Sequence, residues 1–594
     1  MVFRNLHPVF RYLRKYWVQY SIGSVFLLIQ TWAAVQIPGV VQRAVDVLAP
    51  SPKARLEAVP LLEPAAARAE LWTFLRWMLE YSVLYGVALF LMRWYMIRAS
   101  RKIEYDMRHD YFQQLLRLSP SFYDKQSTGD LISRSTNDLN NIREVLGPGI
   151  MYLLETAALL PLALALMLHS NVTLTLIGLV PLSLIGVIGK SMGGRLHERF
   201  TAVQEQLGTL SAFVQEGISG VRVIKAYTRE RYQSERFAEI NRELLRRNLA
   251  MARLQGIIFP GFTFTASLGV LVLLGIGGAM VVWGHLTLGE LIEFQLLMAL
   301  LSGPMLALGW ILNVYQRGDA SMARFNEIMA ARPEIVDAPD AVAPERLAGE
   351  IEFRHLSFAY GDEPVLSDIN LRIPAGSTLA IVGHTGSGKT TLVSLLMRLY
   401  RPPEGTVFID GVDVNRYPLE FLRRNIGYVS QEAFLFSDTI AENIAFGRES
   451  YTEDEVRRAA VMAHLHDDVE EFPDGYRTRI GERGVTLSGG QRQRAALARA
   501  LILAPAILIL DDVLSAVDTQ TEEVILGHLA DAMAGRTSII ISHRISTVQT
   551  ADQIIVLENG RIVEAGTHAQ LVAAGGIYAE IHHKQLLSEA IEAE

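Results

Sequence analysis

The sequence predicts two domains of different kinds: an α-helical domain that crosses a membrane six times, followed by an α/β domain built around a phosphate-binding loop. Apolar runs of about 20 residues or more, long enough to cross a bilayer, occur before residue 320. The glycine-rich segment GHTGSGKTT stands between a strand-like run and a helical pattern. Between them, RPEIVDAPDAVAPERLAG has the composition of a linker. We therefore expect a membrane domain at 1–331, a linker at 332–349 and a second domain at 350–594.

Composition and charge narrow the class of protein. The chain has 594 residues, of which 50% are hydrophobic, and a formal net charge of −8. This charge gives no electrostatic support for bulk nucleic-acid binding, so no nucleic-acid partner is expected. The sequence contains no cysteine, which excludes disulfides, thiolate metal sites and cysteine nucleophiles.

The N-terminal segment is basic and amphipathic, and its apolar residues recur at helical spacing. We expect a helix lying along the cytoplasmic membrane surface; a soluble amphipathic helix is the alternative. The apolar face comprises Phe3, Leu6, Phe10, Leu13 and Trp17.

The predicted spans alternate with connections of unequal length. Short outer loops, 169–171 and 284–287, lack Arg and Lys, whereas the inner segments 98–146 and 190–255 are long and rich in both. This asymmetry places both termini in the cytoplasm and predicts that the spanning helices continue into it. The six spans lie near 19–46, 71–98, 146–168, 172–192, 255–283 and 288–315.

Several ionisable residues fall within these spans. Arg76 and Glu80 are four residues apart and are predicted to pair on one helix face. Glu155, Glu290 and Glu293 are costly in lipid. One hypothesis is that they form a polar patch that contacts a cationic substrate. We favour the alternative, in which Glu290 and Glu293 lie near the outer interface and Glu155 forms a structural pair.

The strongest motif is GHTGSGKTT, Gly383 to Thr391, which fits the pattern G-x-x-x-x-G-K-[ST]. A buried strand, STLAIV, precedes it and a helical run follows, as the motif requires. The glycines allow backbone N–H groups to approach phosphate oxygens at a helix N-terminus. Lys389 is expected to reach the β- and γ-phosphates, and the Thr390 hydroxyl to bind Mg²⁺.

A second apolar run, AILIL, ends in Asp511 and Asp512. A carboxylate at the end of a buried strand predicts that Asp511 holds Mg²⁺. Asp512 is placed to orient or deprotonate an attacking water; a solvated acid at a strand end is the alternative.

The segment LSGGQ, Leu487 to Gln491, begins another helical run and predicts a second phosphate-binding helix N-terminus. The helix after Gly383–Thr391 already caps the phosphates bound there. Two phosphate sites in one chain therefore suggest a head-to-tail dimer that sandwiches each ATP.

Together these motifs resemble those of an ATP-binding cassette (ABC) exporter half-transporter of the multidrug and lipid exporter type. The resemblance covers essentially the whole chain. It implies a multi-pass protein of the plasma (bacterial inner) membrane, with termini and cassette in the cytoplasm. It also implies ATP and Mg²⁺ as cofactors, and membrane lipid and a second half-transporter as partners.

The resemblance assigns roles to further residues. Tyr360 resembles the aromatic residue that stacks on adenine, and Gln431 resembles the Q-loop glutamine that touches Mg²⁺. His543 resembles the switch histidine at the γ-phosphate, and Asp518 in SAVD belongs to the D-loop. The segment TRIGERG, 478–484, resembles the loop that contacts the intracellular helices.

The implied site falls into three sets. The catalytic set is Asp512, His543 and Gln431, and the metal set is Thr390, Gln431 and Asp511. The nucleotide set is Tyr360, Gly383, His384, Thr385, Gly386, Ser387, Gly388, Lys389, Thr390, Thr391, Ser488, Gly489, Gly490, Gln491 and Asp518.

Two segments of the long inner connections, FYDKQSTGD (122–130) and GISGVRVIKAY (217–227), resemble coupling-helix regions. The resemblance implies that the second docks on the partner's cassette.

One residue departs from the family pattern. Exporters of this family carry Glu immediately after the Walker B aspartate, whereas this chain has Asp512. Its side chain is shorter by one methylene, so weak hydrolysis is expected at this chain's own site. The substitution resembles the degenerate-site subunit of heterodimeric exporters, whose partner carries the normal Glu. The competing hypothesis is a homodimer with two slow sites.

The expected activity is ATP-driven export of amphipathic small molecules, drugs or lipids, by alternating access. A homodimeric lipid flippase or multidrug exporter, a peptide exporter, and an ATP-gated channel or regulator remain alternatives. The sequence does not identify the substrate.

Overall fold

A computed structural model describes residues 4–48, 64–481, 487–513, 527 and 533–592 of the chain. The chain divides into two compact units. The first contains Met1–Gln114 and Gly129–Ala330, and the second contains Leu115–Thr128 and Ala331–Glu594. A short segment from the N-terminal half therefore clusters with the C-terminal unit.

The described residues of the first unit form helices joined by short turns and connections. A 3₁₀ turn, Arg4–Leu6, precedes the helices, and π-helical turns occur at Arg134–Asp138, Val145–Gly149 and Leu273–Gly277. The helices are α1 (Val9–Lys15), α2 (Trp17–Leu48), α3 (Pro64–Arg117), α4 (Pro120–Tyr123), α5 (Thr128–Ser133), α6 (Leu139–Glu144), α7 (Ile150–Ser170), α8 (Val172–Ser219), α9 (Val221–Ala226), α10 (Glu230–Val272), α11 (Gly278–Val282) and α12 (Leu288–Ala330); α4 and both ends that flank it belong to the second unit.

Each predicted span coincides with helical structure, although 255–283 includes a π-helical turn and ends one residue beyond α11. By length and composition, four stretches of the described chain are suited to cross a membrane: Trp17–Leu48, Arg68–Arg117, Thr128–Ser170 and Glu230–Val282. Because lipid offers no hydrogen bonds to backbone groups, a continuous helix satisfies them within the segment. Several helices run well past the predicted spans, as expected from the polar periodicity of the inner segments.

The ionisable residues Glu80, Glu155 and Glu290 of the first unit each contact a polar partner. The Arg76 Nε lies 2.7 Å from Glu80 Oε1, which confirms the predicted pairing on one helix face. Gln30, 2% exposed, donates from Nε2 to Glu155 Oε1 at 3.1 Å. Glu290 accepts from the Thr287 N–H at 2.7 Å, near the start of α12. Gln30 thus gives Glu155 a structural partner, and the interfacial position of Glu290 and Glu293 stays a prediction.

The second unit is an α/β domain with two sheets. A four-stranded antiparallel sheet has the order β2-β1-β4-β5, and a six-stranded mixed sheet has the order β10-β9-β3-β8-β7-β6. The strands are β1 (Ile351–Tyr360), β2 (Glu363–Ile373), β3 (Thr378–Val382), β4 (Val407–Ile409), β5 (Val412–Asp413), β6 (Ile426–Val429), β7 (Ile507–Asp511), β8 (Thr537–Ile541), β9 (Gln553–Glu558) and β10 (Arg561–Gly566).

Helices surround the larger sheet. They are α13 (Lys389–Leu396), α14 (Leu419–Arg424), α15 (Ile440–Ala445), α16 (Glu453–Met462), α17 (His466–Glu470), α18 (Gly489–Leu501), α19 (Ile545–Val548), α20 (His568–Ala574) and α21 (Ile577–Glu592). Strands β7 and β8 are buried along their whole length. Their nearly continuous apolar sequences suit parallel strands covered on both faces.

This sheet order positions the site. Strands β3, β8 and β7 are adjacent and parallel, so their carboxyl ends meet at one edge. The edge carries the loop after Val382, the acid pair at 511–512 and the segment after Ile541. Ligands of open α/β sheets bind at this kind of edge.

The predicted coupling segment 217–227 contains the short helix α9, whereas 122–130 spans the end of α4 and the start of α5. In the second unit, α4 ends just before Asp124, and the Ser121 hydroxyl donates to Glu334 Oε2 at 2.6 Å. The Ser119 hydroxyl accepts from the Ile335 N–H at 3.1 Å. In the first unit, helix α8 ends at Ser219 and α9 follows after Gly220.

Candidate nucleotide-binding and catalytic site

The glycine-rich loop connects β3 to α13, as the sequence predicts. Gly388 has φ 99°, a left-handed conformation that favours glycine, and a Cβ there would lie 2.7 Å from Leu366 Cδ2. At Gly383 a Cβ would lie 2.2 Å from the Leu557 carbonyl oxygen. Glycine at both positions therefore allows the loop to pack closely against β2 and β9.

The Lys389 ammonium binds two carbonyl oxygens of this loop. It donates from Nζ to the carbonyl oxygens of Gly383 and His384, each at 2.8 Å. The residue is 7% exposed, and burial lowers the pKa of its side chain. The buried Ser387 hydroxyl oxygen has no partner within the described part of the protein. A buried cation, an unsatisfied hydroxyl and a helix N-terminus together fit a phosphate group.

Thr390 and Asp511 are the nearest candidates for Mg²⁺. The Thr390 hydroxyl donates to Asp511 Oδ2 at 2.9 Å, across 121 residues of sequence. Asp511 is 2% exposed, and burial raises the pKa of its carboxyl group. A buried carboxylate beside a hydroxyl is an oxygen donor pair of the type that Mg²⁺ prefers, so these residues fit the ion.

Asp512 stands at the end of β7 with its backbone fixed. Its N–H donates to the Ile541 carbonyl at 2.8 Å, and its φ is 51°. Gln431 Nε2 lies 3.4 Å from Asp512 Oδ2, so the structure brings the predicted Q-loop glutamine and the second acid together. Strand β6, which leads to Gln431, pairs directly with β7.

Tyr360 ends β1 with its ring 38% exposed. Its hydroxyl donates to Thr391 Oγ1 at 3.3 Å, and Thr391 directly follows Thr390 in the chain. The ring of Tyr400 meets it edge-on, with centroids 4.9 Å apart. An exposed aromatic ring beside the loop is placed to stack on a base.

Ser488 begins helix α18 in a capping box. Its hydroxyl accepts from the Gln491 N–H at 3.2 Å, and its own N–H donates to Gln491 Oε1 at 3.0 Å. Gln491 also donates from Nε2 to Asp468 Oδ1 at 3.1 Å, and Arg494 pairs with the other Asp468 oxygen. The predicted signature segment is therefore a rigid helix start with an exposed serine.

His543 is exposed and follows β8. Its carbonyl accepts from the Gln585 side chain on α21. The predicted D-loop residue Asp518 and the SAVD segment lie outside the described residues, as do 482–484 of TRIGERG.

Motif reasoning missed three residues that contact this site: Tyr400, Asp468 and Gln585. An aromatic residue shortly after α13 was a visible signal for Tyr400, whereas isolated polar residues at 468 and 585 gave none.

Comparisons with known proteins agree with this geometry. Residues 20–305 match the ABC transporter transmembrane region family, and residues 366–515 match the ABC transporter family. The chain is 36% identical to the probable multidrug resistance ABC transporter ATP-binding/permease protein YheI of Bacillus subtilis (strain 168), over 98% of this chain and 97% of that protein.

A lipid flippase and a solved exporter structure are also similar to this chain. The chain is 37% identical to an ATP-dependent lipid A-core flippase of Syntrophus aciditrophicus (strain SB), over 83% of this chain and 82% of that protein. Its fold matches the structure of a bacterial Atm1-family ABC exporter with ATP bound, with a TM-score of 0.77 and 27% identity. The match covers 96% of this chain and 98% of that one.

In this chain the transmembrane-region match, 20–305, precedes the match at 366–515 that contains the phosphate-binding loop and the buried acid. The protein is an integral membrane protein that hydrolyses ATP with Mg²⁺. The chain belongs to the ABC exporter family, of the multidrug and lipid flippase type, with a transmembrane domain fused to a nucleotide-binding domain.

Proposed function

We propose that this chain exports amphipathic small molecules, drugs or lipids, as one subunit of an asymmetric pair whose own ATP site hydrolyses slowly. The observation that carries the proposal is Asp512, where exporters of this family have glutamate. The partner would be a non-identical half-transporter with an intact glutamate at that position. Its site would be completed by Ser488–Gln491 of this chain.

The geometry of Asp512 supports slow hydrolysis. Its backbone N–H is bonded to the Ile541 carbonyl at 2.8 Å, so the main chain is held and does not advance to compensate for a shorter side chain. One missing methylene shortens the reach by about 1.5 Å, and a misplacement near 1 Å costs about a hundredfold in rate.

The other residues of the site suit nucleotide binding. Lys389 and the loop N–H groups would hold the phosphates, and Tyr360 would stack on the adenine. Thr390, Gln431 and Asp511 would hold Mg²⁺, which neutralises phosphate charge when bound. Retention of ATP at this site would keep the two cassettes together for long periods.

The proposed roles extend to residues that close the dimer. Gly383–Thr391 of one subunit and Ser488–Gln491 of the other would sandwich each ATP, with His543 at the γ-phosphate and Asp518 near the interface. ATP must bind the closed state more tightly than the open state, because otherwise it would shift no equilibrium.

Transport would follow from this closure by alternating access. The proposed domains are the membrane domain at 1–331, the linker at 332–349 and the cassette at 350–594. The segments 122–130 and 217–227 would transmit the motion of the cassette to the membrane domain, through which substrate moves. Both termini and the cassette would lie in the cytoplasm of a bacterial inner membrane, as the Arg- and Lys-rich inner segments favour.

The names of the relatives support the substrate class. One is described as a probable multidrug resistance transporter and another as a lipid A-core flippase. Both descriptions concern amphipathic molecules. The flippase likeness, with Gln431 and His543 both present, supports a homodimer with two slow sites as the second candidate.

ATPase measurements on the purified chain alone test the asymmetric pair. We expect slow turnover, little reduced by Asp512→Asn and raised by Asp512→Glu. Robust turnover that Asp512→Asn abolishes would overturn the asymmetric pair, whereas slow turnover that Asp512→Asn abolishes would support the homodimer with two slow sites. ATP-dependent uptake of a lipophilic dye or labelled lipid into inside-out vesicles separates transport from channel gating.

A further inference from the structure

We propose that Gln585, on the C-terminal helix α21, is a positioning residue for His543. Its side chain makes two hydrogen bonds to the backbone of the segment that carries the histidine. The inference rests on the proposed role of His543 at the γ-phosphate and adds a residue 42 positions away in sequence.

The contact is a two-point clamp. Gln585 Oε1 accepts from the Ile545 N–H at 2.8 Å, and its Nε2 donates to the His543 carbonyl oxygen. The Ser542 hydroxyl accepts from the Arg544 N–H at 3.0 Å on the same segment. A single carboxamide therefore fixes peptide groups on both sides of Arg544.

This clamp restrains the backbone position from which the imidazole projects. His543 is exposed, so packing does little to hold its ring. The range of positions open to the ring then depends on its backbone, which Gln585 binds at the residue's own carbonyl. Catalytic groups lose effectiveness when displaced by about 1 Å, so restraint of this backbone has a functional consequence.

The start of helix α21 is fixed by hydrogen bonds to the rest of the cassette, so the helix can hold Gln585 in place. The Glu564 carboxylate accepts from the N–H groups of Ile577 and Tyr578, at 2.5 and 3.1 Å. Tyr578 is 0% exposed, and a 2.8 Å hydrogen bond joins its hydroxyl to His568 Nδ1. Gln585 lies about two helical turns beyond this anchor.

A purely structural tie of the C-terminal helix is the competing explanation. A structural tie affects binding of every nucleotide alike. A residue that positions His543 affects ATP, which has a γ-phosphate, and leaves ADP unchanged. The two explanations are therefore separable by comparing the two nucleotides, without any need for turnover.

The test uses the full-length protein and equilibrium binding of Mg·ATP and Mg·ADP. We expect Gln585→Met, close in size but unable to make either bond, to weaken ATP binding about fivefold, the effect of about one hydrogen bond. ADP affinity stays within about twofold. Lys584→Met, which removes a surface pair with Glu580 on the same helix, is the matched control.

Two further measurements complete the design. Hydrogen exchange at the Ile545 amide should be faster in Gln585→Met and unchanged in Lys584→Met. The double variant His543→Ala/Gln585→Met should bind ATP no more weakly than His543→Ala, because both act through one group.

The outcomes distinguish the two levels of the argument. If His543→Ala weakens ATP binding selectively but Gln585→Met does not, the positioning role of Gln585 is wrong while the proposed site stands. Equal weakening of ATP and ADP, or unchanged exchange at Ile545, also overturns it. If His543→Ala itself leaves ATP binding unchanged, the proposed role of His543 fails, and the positioning role fails with it.

Discussion

The phenol of Tyr400 donates a 2.8 Å hydrogen bond to Oδ2 of Asp124. Asp124 directly follows α4 in the segment that clusters with the cassette, and the Tyr400 ring lies edge-on to Tyr360. Burial, and the bond to Asp124, raise the pKa of the Tyr400 phenol, so it stays a neutral donor. One residue therefore contacts both the proposed base-stacking ring and a proposed coupling segment.

Removal of this hydroxyl should loosen the segment without harming nucleotide binding. In Tyr400→Phe the ring contact with Tyr360 remains, so ATP affinity should change by less than about twofold. A double-mutant cycle with Asp124→Ala, measured by thermal unfolding of the full chain, should give a coupling of about 1 kcal/mol. A coupling of zero would show that the bond contributes nothing.

Thr390→Val should weaken Mg²⁺ binding in the presence of ATP. The substitution keeps the side-chain shape but removes the hydroxyl that donates to Asp511 at 2.9 Å. We expect at least a tenfold rise in the Mg²⁺ concentration for half-maximal ATP binding, as for lost metal-site contacts. Thr390→Ser should restore the wild-type value; if it does not, the hydroxyl is not the cause.

Asp468→Ala should destabilise the start of helix α18. Asp468 accepts from Gln491 Nε2 and pairs with Arg494, whose side chain is 11% exposed. Without it the buried guanidinium lacks its carboxylate, at a cost of about 3 kcal/mol in the free energy of unfolding. Thermal unfolding of the cassette measures this change. The neighbouring exposed Asp467→Ala is the control and should leave unfolding unchanged within about 0.5 kcal/mol.

Asp138→Ala should destabilise the helical unit. Asp138 is 6% exposed, accepts from the Ser321 hydroxyl at 2.9 Å and from Arg324 Nε at 2.8 Å. Because Arg324 is partly exposed, we expect a loss of about 2 kcal/mol, less than for a fully buried pair. Unfolding in detergent checks this. Glu235→Ala, which removes an exposed pair with Arg231, should cost about 0.5 kcal/mol.

Local sequence patterns predicted the elements that carry the nucleotide site. The strand before Gly383, the helix from Lys389 and the buried strand ending at Asp511 all appear in the structure. These elements are set by residue types next to one another in the chain: apolar runs, glycines and a helix start. The linker composition likewise precedes the first strand at Ile351.

Contacts between distant residues were beyond such patterns. Gln585 meets His543, and Tyr400 meets Asp124, because of sheet order and helix placement rather than any local signal. The π-helical turns on either side of α6 also had no sequence signature. Tertiary packing decides these features, and one sequence does not specify it by periodicity alone.

The backbone of Asp512 has a consequence for how this chain accommodates its substitution. At φ 51° the residue adopts a conformation that most side chains avoid and that aspartate and asparagine enter most readily. A glutamate at this position would adopt the same conformation at a higher free-energy cost than aspartate. The shorter side chain that we propose to slow hydrolysis would therefore also lower the conformational cost of this backbone position.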